Sequence, residues 1–178
     1  MTITEHFMLE QLELADNTIE HCLSDPTTQW FSMLVDDVLP NVERIWVRME
    51  GGHLAVVHRI LPVPKGTTPL LHRHRRPTGF LLKDGAYWEG RGIGTPDGLP
   101  PSVVERHLCL PGERRVMIRP DAWHWVCPVR HSVMSVNVFG HGHPGVPERT
   151  TFQELSALPP DRFARLVRDA RMIYGMID

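Results

Sequence analysis

The sequence predicts an all-β fold with short helices at both ends. Short apolar segments rich in Val, Ile, Leu and Trp recur between residues 44 and 139. Turn-forming triplets separate them, as in Lys83-Asp84-Gly85, Pro111-Gly112-Glu113 and Arg119-Pro120-Asp121. Many short strands punctuated in this way are typical of a β-sandwich or β-barrel. A length of 178 residues with 42% hydrophobic content suits one domain that spans the chain, residues 1–178, and buries a substantial core.

Composition argues against several classes of partner. The chain has 19 basic and 21 acidic residues and a formal net charge of -2, so we expect neither nucleic acid nor a membrane as a partner. The first residues lack the features of a signal peptide, and a cytoplasmic protein is expected. Cys22, Cys109 and Cys127 form no CxxC pair, which favours core packing over a disulfide framework.

Residues 1–43 are expected to form an N-terminal arm and a short helix. Four apolar residues are spaced as on one face of a helix: Met8, Leu12, Ala15 and Ile19. Asp25-Pro26 then predicts the start of a short helix that carries its apolar side chains between Trp30 and Val35 and ends near Pro40.

Residues 44–140 are expected to form the barrel. A hairpin with Gly51-Gly52 at its turn is predicted over 44–61. The further predicted strands are 67–74, 79–83, 86–91, 103–110, 114–119, 123–128 and 132–139. Residues 92–101 read as a loop of a length that often borders a site.

Residues 141–178 are expected to form a loop and a helix. An apolar stripe predicts the helix, with Asp161 capping its second part. The stripe consists of Phe152, Leu155, Phe163, Leu166, Val167 and Ile173. Together with the N-terminal arm, it is a surface on which a homodimer could form.

A His-x-His pair gives the strongest chemical signal. On a strand, His72 and His74 share one face roughly 6 to 7 Å apart, so two imidazoles can hold one metal ion. His124 is the best candidate for a third ligand. The alternative, two surface histidines between arginines, is weakened by the pair, the third histidine and their spacing taken together. The flexible His141 and His143 are expected on a loop surface instead.

These residues resemble the motifs of the cupin superfamily. Gly66, His72, His74 and Gly85 match the spacing of its first motif, with Thr78 in place of the usual glutamate. The second motif is matched more loosely and ends on His124. The resemblance implies a double-stranded β-helix, or jelly-roll, barrel around a metal ion.

A three-histidine site without the glutamate resembles the cysteine dioxygenase and 3-mercaptopropionate dioxygenase family. The fifty-residue interval from His74 to His124 is typical of it, and Gly79 stands where bacterial members commonly have glycine. The resemblance implies Fe(II), O2 and a small thiol amino acid such as L-cysteine. It also implies that Arg48, in Trp46-Val47-Arg48, binds the carboxylate of the substrate; a solvated arginine is the alternative.

The family's Ser-x-His-x-Tyr is altered here. Ser135, Asn137 and Phe139 occupy the three positions of this motif, so the spacing of two residues is kept. The histidine is replaced by Asn137, which cannot titrate, and the tyrosine by Phe139, which has no hydroxyl. Tyr87 is the candidate for supplying a hydroxyl, and Ser135 and Asn137 for hydrogen bonds around the substrate. The product is then a sulfinate or a rearranged thiol.

Glu89 opens a different interpretation. Beside Arg91, a surface position is the expected one for this residue. If it points inward it is a candidate fourth ligand, which would favour an oxygenase that cleaves a carbon-carbon bond of a carbonyl compound. A non-catalytic cupin that binds a metal ion or a small molecule is a further alternative, because Asn137 and Phe139 replace residues of catalytic type.

Overall fold

Two antiparallel β-sheets and two α-helices form the fold of the computed structural model, which describes residues 3–36, 39–74, 76–95, 98–143 and 156–177. The helices are α1, Glu5–Ser24, and α2, Pro160–Ile173. The strands of the described residues are β1 Phe31–Val35, β2 Val42–Arg48, β3 Leu54–Ile60, β4 His72–Arg73, β5 Thr78–Asp84, β6 Tyr87–Ile93, β7 Glu105–Cys109, β8 Arg114–Met117, β9 Ala122–Pro128 and β10 Val133–Phe139.

The order of the strands identifies the fold. The larger sheet has the order β1-β2-β3-β10-β5-β8, and the smaller sheet has the order β4-β9-β6-β7. From β3 onward the chain crosses between the two sheets in the order of an eight-stranded jelly roll, in which β6 and β7 are neighbours in the smaller sheet. Strands β1 and β2 extend one edge of the larger sheet. The jelly roll is the architecture of cupins. The predicted all-β barrel of the cupin type with short flanking helices is therefore confirmed.

Helix α1 packs against the outer face of the larger sheet. Thr4 caps its N-terminus, since its hydroxyl accepts a hydrogen bond from the Phe7 amide at 3.1 Å. The buried face of α1 consists of Met8, Leu12, Ala15, Ile19 and Leu23. These residues share one apolar core cluster with outward-facing residues of the sheet such as Val57 and Val136. The helical spacing predicted for the first four is confirmed.

The short helix predicted between Asp25 and Pro40 is wrong. Residues 31–35 form strand β1, which pairs with β2 along its whole length, from Phe31 opposite Trp46 to Val35 opposite Val42. The Phe31 and Trp46 rings stack with their centroids 5.6 Å apart. The local capping signal is used by a turn instead, because the Asp25 carboxylate accepts a hydrogen bond from the Thr27 amide at 2.8 Å. Pairing with a neighbouring strand outweighs local helix propensity here.

The Gly51-Gly52 hairpin is confirmed, but the strand predicted over 67–74 is wrong for most of its length. Strands β2 and β3 pair in register, and both glycines adopt positive φ, 73° and 79°. Only His72 and Arg73 lie in β4. Pro69 has no N–H to extend a ladder, and the Leu70 amide donates to Leu39 O at 2.8 Å. The loop predicted over 92–101 starts later, since β6 continues to Ile93.

Helix α2 is attached to the barrel by buried ion pairs. The Glu43 carboxylate, 1% exposed, lies 2.9 Å from Arg59 Nη1 and 2.5 Å from Arg162 Nε. Arg59 also pairs with Asp169 of the same helix. These ion pairs fix α2 on the sheet together with its buried apolar residues, Leu166 and Ala170.

The C-terminal prediction is only partly testable. The helix exists, but Pro159 is its N-cap residue, and Asp161 lies in the first turn instead of capping it. Phe152 and Leu155 of the predicted stripe lie outside the described residues. Among the helices of the described part, none is long and apolar enough to cross a membrane.

Candidate metal centre

Three histidines meet on the inner face of the smaller sheet. His72 and His124 are register partners across β4 and β9, and His74 follows β4 directly. The ring of His124 has its centroid 4.7 Å from that of His72 and 4.7 Å from that of His74. One ring nitrogen of each histidine lies within 4.8 Å of the others. The structure thus brings together the three residues selected by the His-x-His pair and its spacing.

Each histidine is held from outside through Nδ1. His72 Nδ1 donates to Leu70 O at 3.1 Å, and His124 Nδ1 donates to Glu89 Oε1 at 2.9 Å. His74 Nδ1 lies 3.0 Å from the Thr78 hydroxyl, which itself donates to Arg76 O and must therefore accept from the ring. All three outer partners are acceptors. Each ring consequently carries a proton on Nδ1, and Nε2 is the nitrogen that is left to bind a metal ion.

The inner nitrogens face one another. Nε2 of His74 is 2.8 Å from Nε2 of His124. Burial and the nearby histidine His124 lower the pKa of His72 to about 3, and burial likewise lowers the pKa of His74 well below its usual value. A divalent cation bound to both Nε2 atoms would account for this close approach, since each ring already donates from Nδ1. These residues therefore fit a divalent transition metal held by three neutral imidazoles.

Glu89 lies behind His124, and the predicted surface position is wrong. Its side chain is 1% exposed, and its second oxygen, Oε2, lies 2.8 Å from Arg91 Nε and 3.0 Å from Arg115 Nε. Burial alone would raise the pKa of Glu89, but the hydrogen bond from His124 and the charge of Arg91 outweigh it and lower the pKa to about 2. The carboxylate contacts the outer nitrogen of His124 and orients that ring.

The role of Glu89 was missed in the sequence, although a signal existed. On β6, Glu89 alternates in phase with Tyr87, and both are buried. An inward glutamate on a barrel strand needs a charged or hydrogen-bonding partner. His124 is its hydrogen-bonding partner on the neighbouring strand.

The histidines line a cavity of about 300 Å³ between the two sheets. Four polar residues of the larger sheet line it as well: Arg44, His58, Ser135 and Asn137. Much of the remaining lining is apolar and includes Val42, Ile60, Phe80 and Val126. The arrangement combines a metal-binding wall, a polar wall and an apolar enclosure, which is typical of a site for a small molecule.

Three residues predicted to act near the substrate line this cavity: Tyr87, Ser135 and Asn137. Burial raises the pKa of Tyr87 above its usual range, so the phenol stays protonated. The ring of Phe139 lies beside the cavity, with its centroid 6.3 Å from that of His74 and 5.7 Å from that of His58.

Arg48 lies outside the cavity lining. It is exposed at the end of β2, with its guanidinium 5.7 Å from the centre of the Phe31 ring. Arg44, four residues earlier on the same face, lines the cavity, and its guanidinium is 5.9 Å from the centre of the Phe139 ring. Arg44 and His58 were both missed in the sequence. Alternation gives Arg44 and Arg48 the same face, and only the position along the strand separates them.

Two other groups of candidate ligands behave differently. His107, Cys109 and Glu113 also lie close together, but Glu113 closes the β7–β8 turn by accepting from the Leu110 amide at 3.0 Å, and it sits 2.7 Å from His107 Nε2. In the predicted loop pair, His141 donates from Nε2 to Gly51 O at 2.8 Å.

Comparison with known proteins finds only distant structural similarity. Neither a protein-family model nor a curated protein matches the sequence. The structure of hydroxypropylphosphonic acid epoxidase from S. wedmorenis aligns with this chain with a TM-score of 0.46 and 10% sequence identity. The alignment covers 61% of this chain and 55% of the epoxidase chain. The chain spans little more than half of the epoxidase.

Two further solved structures show how broad this similarity is. KdgF from Halomonas sp. aligns with a TM-score of 0.41 and 17% sequence identity, and the alignment covers 60% of this chain and 84% of the KdgF chain. Drosophila melanogaster CENP-C bound to CAL1 has a TM-score of 0.46 and 7% identity over 74% of this chain and 98% of its own. Similarity this distant does not bear on function.

Proposed function

We propose that the protein is a non-haem iron oxygenase that acts on a small thiol carrying a carboxylate, such as L-cysteine, and oxidises its sulfur with O2. One observation carries this proposal. Three imidazoles, each held by an acceptor at Nδ1, line a cavity that Arg44 lines from the other sheet.

The ligand set suits an anionic sulfur ligand. Three neutral imidazoles leave the full charge of a divalent ion uncompensated, and a thiolate compensates it. Iron bound here would supply a site for the thiolate and the redox chemistry for O2. The contribution of the protein is to fix the orientation of the rings of His72, His74 and His124, with the proton on Nδ1, through the acceptors at those atoms.

Arg44 is assigned the role of carboxylate anchor that the family resemblance gave to Arg48. Its positive charge contributes to the lowered pKa of His58, His72 and His74, which are lowered mainly by burial, so the guanidinium faces the same space as the metal ligands. A guanidinium binds a carboxylate through two parallel hydrogen bonds. Substrate size is limited by the cavity of about 300 Å³.

The position of Glu89 disfavours the carbon-carbon cleaving alternative. Glu89 as a fourth ligand would have favoured that interpretation, but its carboxylate is bonded to the outer nitrogen of His124. The alternative of a non-catalytic binding module is left for experiment to decide, because such a module would bind the same ligands without consuming O2.

Oxygen uptake by the Fe(II)-loaded protein tests the proposal. We expect uptake with L-cysteine and 3-mercaptopropionate and little with cysteamine, which lacks the carboxylate, and mass spectrometry should show oxygen added to the sulfur compound. Arg44→Met should raise the KM for L-cysteine by about tenfold to a hundredfold, as expected for losing a charged hydrogen bond. Arg48→Met is the matched control and should leave the KM unchanged. Iron-loaded protein that binds thiols without consuming O2 would refute the oxygenase and favour the binding module.

A further inference from the structure

The cavity wall opposite the histidines carries a row of polar residues. In the larger sheet His58 on β3 is the register partner of Arg44 on β2 and of Ser135 on β10. Asn137 follows two residues along β10 and therefore points to the same side. His58, Ser135 and Asn137 are all buried, with exposures of 5%, 4% and 0%. A buried polar row on the inside of a barrel needs hydrogen-bonding partners.

Two atoms of this row lack partners among the described residues. Asn137 Nδ2 donates to Ser135 Oγ at 3.1 Å, which fixes the amide and leaves Oδ1 as the acceptor. Asn137 Oδ1 is buried and receives no hydrogen bond from the described part of the chain. The same holds for His58 Nε2. Unsatisfied buried polar atoms are rare and costly, and both of these belong to residues that line the same cavity.

We propose that Asn137 Oδ1 and His58 Nε2, with the His58 proton on Nδ1, form a subsite that accepts hydrogen bonds from an ammonium group of the substrate. The inference rests on the proposed function and makes thiol amino acids its preferred substrates over mercapto acids, which lack an amine. Asn137 lies diagonally opposite His58, two residues beyond Ser135, and diagonal neighbours on one face of a sheet are roughly 7 to 8 Å apart, so one small group between them can reach both. Arg44 binds the carboxylate next to this subsite, and the thiolate is left for the metal side of the cavity.

The charge pattern supports an ammonium group over a second anion. In the proposed function the substrate carboxylate is assigned to Arg44, which lines the same cavity. Asn137 Oδ1 is an acceptor and can only bind a donor. Burial lowers the pKa of His58 well below its usual value, with the charge of Arg44 acting in the same direction, so the ring is neutral and offers no second positive charge.

Ligand binding to the Zn(II)-loaded protein, measured by calorimetry, tests the inference without turnover. L-Cysteine and 3-mercaptopropionate share the thiol and the carboxylate, and only L-cysteine has the amine. Asn137→Leu keeps the side-chain volume and removes the acceptor. We expect it to raise the Kd of L-cysteine by about tenfold or more while changing that of 3-mercaptopropionate less than about threefold. His58→Phe should act in the same direction.

Asn137→Asp separates the role of the acceptor from damage to the fold. An added negative charge should restore L-cysteine binding and weaken 3-mercaptopropionate binding, because it attracts the ammonium group and repels the carboxylate. An Asn137→Leu variant that binds both thiols as the wild type does, or weakens both equally, would overturn the subsite. Wild-type protein that binds neither thiol would instead overturn the proposed function itself.

Discussion

Replacing Glu89 by glutamine should weaken both the metal site and the fold. The carboxylate is 1% exposed and contacts His124 Nδ1 at 2.9 Å, Arg91 Nε at 2.8 Å and Arg115 Nε at 3.0 Å. Its pKa is lowered from 4.5 to about 2, a difference that corresponds to roughly 3 kcal/mol of folding free energy at neutral pH. We therefore expect Glu89→Gln to lower the free energy of unfolding of the metal-free protein by roughly 3 kcal/mol at pH 7.

The sign of the pH dependence follows from the lowered pKa. The stabilisation by Glu89 is complete above the unfolded value of 4.5 and is lost as the pH falls through about 2. The difference between wild type and Glu89→Gln in urea unfolding should accordingly shrink between pH 4.5 and pH 2. Iron affinity at pH 7 should fall by about tenfold to a hundredfold, as is typical when a partner of a histidine ligand is lost.

Glu113→Gln provides the matched control for this prediction. Glu113 contacts His107 and the Leu110 amide, and its side chain is one-third exposed at 32%. Its replacement should leave iron affinity within about twofold of the wild type, since outer partners matter only where they hold a ligand. Equal iron affinity in Glu89→Gln and wild type would refute the role assigned to Glu89.

Three further predictions follow from burial. Burial lowers the pKa of His72 to about 3, so proton competition at this ring should change Co(II) affinity, measured by titration, by less than about threefold between pH 7.5 and pH 5.5, whereas a histidine of ordinary pKa would cost about tenfold. Leu12→Ala should lower the free energy of unfolding by about 2 to 5 kcal/mol and the exposed Leu14→Ala by less than about 0.5 kcal/mol, as urea unfolding would measure. Burial raises the pKa of Cys109 to about 11, so mass spectrometry should find it unmodified after iodoacetamide treatment of native protein, and rapid alkylation would contradict its burial.

The fold and the metal ligands could be predicted from the sequence because residue patterns and motif spacing record them. Alternation and turn residues located most strands, and the His-x-His pair with a third histidine fifty residues later named the ligands. The helix predicted between Asp25 and Pro40 failed because pairing of β1 with β2 is a contact between segments that local spacing does not record. The length of the strand before His72 failed for a similar reason, since Leu70 bonds to Leu39 and not to a sheet neighbour.

The surroundings of the ligands were less accessible. Arg44 and Arg48 share one face of β2, and the sequence alone does not say which of them reaches the cavity. Glu89 is buried because Arg91, Arg115 and His124 come to it from three strands, and such compensation of a buried charge is visible only in three dimensions. His58 was predicted to lie on a barrel strand, but it belongs to no sequence motif that would indicate a function.

The iron content of the His124→Ala variant tests the central claim most directly. Wild type and His131→Ala, which removes an exposed histidine, should each bind one Fe(II) per chain after anaerobic loading and desalting. His124→Ala should retain almost none, because two imidazoles do not hold iron tightly through desalting. One tightly bound Fe(II) per chain in a folded His124→Ala protein would contradict a centre built from His72, His74 and His124.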